Sequence, residues 1–217
     1  MLSAFFDDDD FRKLLKPLYD RFQKIGHELL KNLDPDVNQE DLLKSFSISE
    51  GLYSYLLSSY HASKACESAL QAARPGMNEW GEQISEMMRI QHALGLEAII
   101  NLVYAHQFVG LEAVVKITGV DKVVAQNIFD ELFPSLIEAR NALVHRDDRA
   151  MGLFGQGQNK IDRGIAQVPS QAGSKFRDLI KTIRGENGVV KVVRFDFDFS
   201  TQKLFKLAFN LAEIYTN

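Results

Sequence analysis

The chain has 217 residues, a mean hydropathy of −0.15 and a formal net charge of −4. This length is enough to bury a sizeable core, and the acidic balance excludes a surface that attracts polyanions over its whole area. The single cysteine, Cys66, excludes an internal disulfide framework and fits a reducing compartment. No apolar run approaches the length of a bilayer span, so we expect a protein without a membrane contact.

Residues 1–48 predict a helical extension that precedes the main domain. Two phenylalanines and then four consecutive aspartates are the reverse of a basic and apolar signal peptide, which predicts a cytoplasmic location. We interpret the aspartates as a solvated helix start rather than as a metal site. Leucines at helical spacing follow over residues 8–32, with Pro17 expected to bend or divide the helix. A proline-containing segment at residues 33–39 is predicted to separate this helix from the rest of the chain.

Helical periodicity dominates the first part of the main domain, which we place at residues 49–217. Ser49 is predicted to cap a helix that runs to Arg74, where a Pro-Gly pair stops it. A second long helix is predicted over residues 81–108, and shorter helical stretches follow it. A further helix is predicted from Pro134 to Asp148.

The C-terminal part of the main domain is predicted to contain a loop, a strand and a helix. Residues 150–188 are rich in Gly, Gln and Ser and predict a loop-rich insertion. Residues 189–199 alternate apolar and charged side chains, which indicates a half-buried strand. Its partner is expected in residues 160–168 or 179–184, or across a dimer. Residues 201–216 predict a closing helix, so the fold class is mainly α with a short β element before the last helix.

The pattern with most chemical content lies on the predicted helix before the loop-rich insertion. It consists of Arg140 and Asn141, followed by His145 four residues after the asparagine. Arginine offers a permanent, forked cation suited to a phosphate, and asparagine adds a neutral amide donor and acceptor. Histidine can carry or accept a proton near neutral pH. These residue types therefore predict phosphate chemistry.

The same helix predicts a composite site. Asn141 and His145 are one helical turn apart and share a face, whereas Arg140 and His145 differ by five positions, or about 140° around the axis. One helix alone does not direct both side chains at one phosphate. We therefore expect a homodimer in which two copies of the helix face each other.

This pattern resembles the signature of the HEPN superfamily, whose ribonucleases carry Arg, a polar residue and then His near the end of a helix in an all-α domain. Arg21 and His27 have a similar spacing, but the apolar Phe22 stands at the polar position. The resemblance implies a HEPN-like up-down helical bundle and a metal-independent endoribonuclease that leaves a 2′,3′-cyclic phosphate. It also implies a symmetric dimer and a role as a toxin or phage-defence effector, restrained by a cognate antitoxin.

The resemblance assigns one role to each residue of the pattern. His145 would act as general base or acid, Arg140 would hold the phosphate, and Asn141 would orient either group. Arg146 and Arg149 follow the pattern and are candidate RNA-binding residues, although adjacent acidic residues partly cancel their charge. We expect no cofactor and no metal, because an arginine separates the histidine from the aspartates that follow it.

Two alternatives remain open at the level of the sequence. In the first, Arg140 and His145 form helix-end salt bridges with Glu138, Asp147 or Asp148 and perform no chemistry. In the second, the chain is a non-catalytic HEPN-like module that binds a nucleotide or a protein through the same residues. The acidic net charge of −4 favours the second alternative mildly.

Overall fold

The computed structural model describes residues 8–31, 39–73, 81–144, 170–184 and 190–216. Within these ranges the chain is mainly helical, with one small antiparallel sheet before the last helix, which confirms the predicted fold class. The elements are α1 (Asp8–Lys31), α2 (Gln39–Ala73), α3 (Gly81–Val109), α4 (Glu112–Thr118), α5 (Lys122–Leu132), α6 (Leu136–Val144), β1 (Ser170–Ala172), β2 (Lys175–Arg184), β3 (Val190–Asp198) and α7 (Thr201–Thr216).

Helices α2 and α6 differ from their predicted limits, since α6 begins at Leu136 rather than at Pro134, and α1 is not divided at its proline. Helix α1 continues through Pro17, because the buried side chains of Leu15 and Leu18 hold it on both sides of the proline. Helix α2 begins at Gln39, so Ser49 lies inside this helix and does not cap it. The predicted boundary at residue 48 therefore falls within a continuous helix.

The structure divides into two compact units, and α2 and α3 contribute to both. The first unit comprises residues 1–61, 101–132 and 201–217. Its core is aromatic: the rings of Phe11 and Tyr60 stack with centroids 4.1 Å apart, and the ring of Phe205 meets Phe11 edge-on at 5.0 Å. Stacked and edge-on pairs both bury large apolar area. Helix α1 is therefore part of this core and packs along α7.

The second unit comprises residues 62–100 and 133–200. Its sheet has the order β1-β2-β3, and α6 packs on β2. Phe176, Phe197 and Phe199 are buried in it, and the Ser63 hydroxyl donates to the backbone oxygen of Phe199 over 2.7 Å.

The partner of the predicted strand is β2, which contains one of the two segments expected to pair with it. Leu179 lies opposite Phe195, and Arg184 lies opposite Val190. The other expected segment, residues 160–168, lies outside the described residues. Both β1 and β2 fall within the region predicted as a loop-rich insertion.

None of the helices in the described ranges has, by itself, the length and apolar composition to cross a bilayer. Part of α3 reaches that composition only together with α4, and the pair is bent by 59°.

Candidate functional site

Helix α6 carries the Arg-Asn pair and is fixed by one buried face. The buried residues are Leu136, Ala139, Ala142 and Leu143. They leave Arg140 exposed and Asn141 half-buried on the opposite side. Tight packing of small and branched side chains against β2 fixes the direction in which the arginine leaves the helix.

The start of α6 is held by Ser135. Its backbone oxygen accepts the amide hydrogen bond of Ala139 over 2.8 Å, and its hydroxyl accepts a hydrogen bond from Lys181 Nζ, also at 2.8 Å. Ser135 has a φ of 65°, in the left-handed region that few non-glycine residues adopt. The ammonium group of Lys181 also lies 5.3 Å from the centre of the Phe195 ring. The sheet therefore fixes the N-terminal end of α6.

Arg140 and Asn141, the two residues of the Arg-Asn-His pattern that the structure describes, contact each other. Nη1 of Arg140 donates a hydrogen bond to Oδ1 of Asn141 over 2.9 Å. An arginine has five N–H donors, so this bond orients the guanidinium and leaves most of its donors for a ligand. Since the side chain of Arg140 is exposed, those donors are accessible.

The observed partner of Arg140 differs from the one that a structural salt bridge would require. No carboxylate among the residues placed by the structure forms an ion pair with Arg140. Glu138 is two positions away, and residues at that spacing do not face each other on a helix. The other proposed carboxylates, Asp147 and Asp148, lie outside the described residues.

Three predicted site residues, His145, Arg146 and Arg149, also lie outside the described residues. The structure thus describes Arg140 and Asn141 and brings these two together. That His145 joins Arg140 and Asn141 in one site stays a prediction.

Two apolar side chains flank the Arg-Asn pair on the outward side of α6. Ile137 is 40% exposed and Val144 is 44% exposed. Residues at positions 137, 140, 141 and 144 share one side of an α-helix because they are spaced by three or four. The cation is therefore set between two exposed branched side chains.

The second Arg and His pair of the chain, Arg21 and His27, lies on α1. Phe22 is buried in the first unit with 2% exposure. The Nδ1 of His27 donates to the backbone oxygen of Gln23 over 2.8 Å within α1. The imidazole of His27 therefore already has a local partner.

Cysteine and metal chemistry find little support in the described part of the chain. Burial raises the pKa of the Cys66 thiol to about 12, although a hydrogen bond from Gln171 acts in the opposite direction. A thiol with this pKa is a poor nucleophile at neutral pH. No group of three or more His, Cys, Asp or Glu side chains that could hold a metal ion occurs among the described residues.

The sequence pattern does not indicate a role for Ser135 or Lys181. They are 46 positions apart, and their contact depends on how α6 packs on β2. The only local signal is the Pro-Ser pair before the helix, which is typical of a turn or helix start.

No protein-family model, no curated protein and no solved structure matches this chain. The resemblance to the HEPN superfamily therefore rests on the motif and on the helical class alone.

Proposed function

We propose that the chain is a metal-independent endoribonuclease of HEPN type, with Arg140, Asn141 and His145 as its catalytic residues. The observation that carries this proposal is the hydrogen bond from the exposed Arg140 guanidinium to the neutral Asn141 amide. A carboxylate in that position would neutralise the cation and compete with a phosphate for its donors. The amide orients the guanidinium and leaves its positive charge in place.

The reaction requires only proton transfer and stabilisation of charge at phosphorus, because RNA carries its own nucleophile. The ribose 2′-oxygen attacks the adjacent phosphorus and loses its proton. The new bond replaces the bond from phosphorus to the 5′-oxygen of the next nucleotide, and that oxygen leaves with a proton. His145 acts as general base or acid in these transfers, and Arg140 stabilises the negative charge on the phosphoryl oxygens. The products are a 2′,3′-cyclic phosphate and a 5′-hydroxyl, and no cofactor takes part.

Pairing of two α6 helices supplies the composite site that this chemistry needs. Ile137 and Val144 support such a contact, because exposed apolar side chains on both sides of a polar pair are typical of interfaces. Arg146 and Arg149 would bind flanking phosphates of the RNA. In this proposal the enzyme is a toxin or phage-defence effector in the cytoplasm, held inactive by a cognate antitoxin protein.

The same exposed apolar side chains favour one alternative function. A non-catalytic HEPN-like module would use Ile137 and Val144 to bind a protein, with Arg140 binding an acidic group of that partner or a nucleotide. Such a module would show binding that depends on Arg140 and no turnover of RNA.

The deciding experiment incubates the purified chain with single-stranded RNA in EDTA and identifies the new ends by mass spectrometry. We expect cleavage with 2′,3′-cyclic phosphate ends, and loss of that cleavage in His145→Ala. Arg21→Ala and His27→Ala are matched controls, because they alter the second Arg and His pair and should cleave normally. Full cleavage by His145→Ala, or cleavage only with added Mg²⁺, would refute the proposal.

A further inference from the structure

Helix α7 presents an outward face with the spacing of a helix-helix seam. Its buried side is formed by Leu204, Leu207, Ala208, Leu211, Ala212 and Tyr215, and it packs against α1 and α5 within the first unit. Its outward side is formed by exposed residues that recur after four, three, four and three positions, namely Gln202, Lys206, Phe209, Glu213 and Thr216. This alternation keeps side chains on one line along a helix, as in the contact seam of two packed helices.

An aromatic side chain lies at the centre of this line. Phe209 is 58% exposed, which leaves most of a large apolar ring in water. Lys206 lies three positions before it and Glu213 four positions after it, so opposite charges lie about one turn away on either side of the ring. Neither charged group forms an ion pair with another residue in the described ranges.

This row of residues is complementary to an identical row on a second α7 when the two helices are antiparallel. When a second α7 lies antiparallel across Phe209, Lys206 of each copy faces Glu213 of the other, and the two rings meet at the axis. Gln202 of each copy then faces Thr216 of the other. A parallel arrangement would place like charges opposite each other, which is destabilising. We propose that the outward face of α7 binds the same face of a second copy of this chain, antiparallel and around a two-fold axis.

The size of this face sets the strength expected of the contact. A helix of 16 residues is about 24 Å long, and one such helix pair buries less than the roughly 1,200–2,000 Å² of a stable interface. We therefore expect a reversible dimer with a dissociation constant in the range of about 1–100 µM.

This contact goes beyond the proposed function and uses different residues from the α6 pairing. If both contacts form, the assembly is larger than a dimer; the α7 contact alone gives a dimer. Assembly through α7 is measured without RNA, so its failure and the failure of the nuclease proposal are separate results.

The test exchanges the two charges of the seam. Sedimentation at about 100 µM should show wild-type assembly, and Lys206→Glu and Glu213→Lys should each reduce the assembly by one step. An equimolar mixture of the two variants should restore the wild-type size, because each acidic seam then faces a basic one. Lys122→Glu, a charge reversal on the exposed side of α5, is the matched control and should not change the size. Single variants of wild-type size, a mixture that stays small, or a monomeric wild type would each overturn the proposal.

Cross-linking tests the orientation. The double variant Gln202→Cys with Thr216→Cys should form a disulfide-linked dimer under mild oxidation. The two positions are about 21 Å apart on one helix, too far for a disulfide within one chain. The native Cys66 is buried and does not interfere. Rapid cross-linking by Gln202→Cys alone would indicate a parallel contact and would overturn the proposal.

Discussion

Asn141 accepts a hydrogen bond from Nη1 of Arg140 over 2.9 Å, although neighbouring residues on a helix leave its axis about 100° apart. The arginine side chain must therefore fold across the asparagine to make this contact. The guanidinium is held in one orientation by a group that does not reduce its charge. This relationship connects the local sequence with the proposed chemistry, because a phosphate is best bound by a cation that is already oriented.

The first prediction concerns cooperation between the arginine and the histidine. Arg140→Ala and His145→Ala should each reduce the cleavage rate by about 10²–10⁴-fold, and the double variant should be hardly slower than either. Residues that act in one step give such non-additive losses, because removal of one already abolishes the step. The measurement is the initial rate on a fluorogenic RNA.

Circular dichroism would show whether the variants remain folded, as expected for Arg140, whose side chain is exposed on α6. A double variant whose loss equals the product of the two single losses would contradict a joint role for Arg140 and His145.

Much of the helical structure was predictable because each helix buries one stripe of apolar side chains. The pattern of α7 gives both its limits and its buried face, and α3 ends one residue from its predicted limit. The Arg-Asn pair was found because it interrupts an apolar pattern on α6. The buried residues of a helix recur with a period of 3.6 residues, and a single sequence shows this period directly.

The strand β2 was not assigned because a bulge changes its pattern. Its buried residues Phe176, Leu179 and Ile180 have the spacing of a helix, and the pairing with β3 shifts between Phe176 and Leu179. Asp178 lies within this irregularity with a φ of 57°. An extra residue in a strand breaks the period of two, so only the paired structure reveals it. The contact of Lys181 with Ser135 depends on this pairing and was hidden for the same reason.

The second prediction concerns the place of α1 in the fold. Phe11→Ala should reduce the free energy of unfolding by about 3–5 kcal/mol, because the ring of Phe11 is fully buried between Tyr60 and Phe205. Leu14→Ala, at a half-buried position on the same helix, is the control and should cost less. Urea unfolding measures both. A loss below about 1 kcal/mol for Phe11→Ala would indicate that α1 is an appendage after all.

The third prediction concerns the packing of α3 on the sheet. A Cβ atom at Gly95 would lie 2.7 Å from Cε2 of Phe176 and 2.8 Å from Nε2 of Gln171. In a free helix, Gly→Ala stabilises by roughly 0.5–1 kcal/mol, whereas overpacking of a core costs about 1–3 kcal/mol. The Phe176 ring is buried and cannot move aside cheaply. Gly95→Ala should therefore lower the melting temperature, and a higher value would contradict this close approach.

The last prediction concerns pH and His106. Its side chain is only 16% exposed, and its ring meets Phe129 edge-on with centroids 5.6 Å apart. Burial lowers the pKa of His106 below 6.5, and Lys122 lowers it further. The exposed carboxylate of Asp130, 3.7 Å from Nε2, raises it in part. Because Nδ1 is buried with no hydrogen-bond partner in the described part of the chain, protonation there gains no compensating bond.

The lowered pKa of His106 determines whether acidification stabilises or destabilises the folded protein. Below the unfolded pKa of about 6.5, the unfolded chain binds a proton that the folded chain does not, so acidification favours unfolding. The contribution of neutral His106 to stability is complete above this pH and is lost as the pH falls through the lower folded pKa. Wild-type protein should therefore lose more unfolding free energy than His106→Gln between about pH 7.5 and pH 5.5. Equal losses in the wild type and in His106→Gln would show that burial of His106 does not set this dependence.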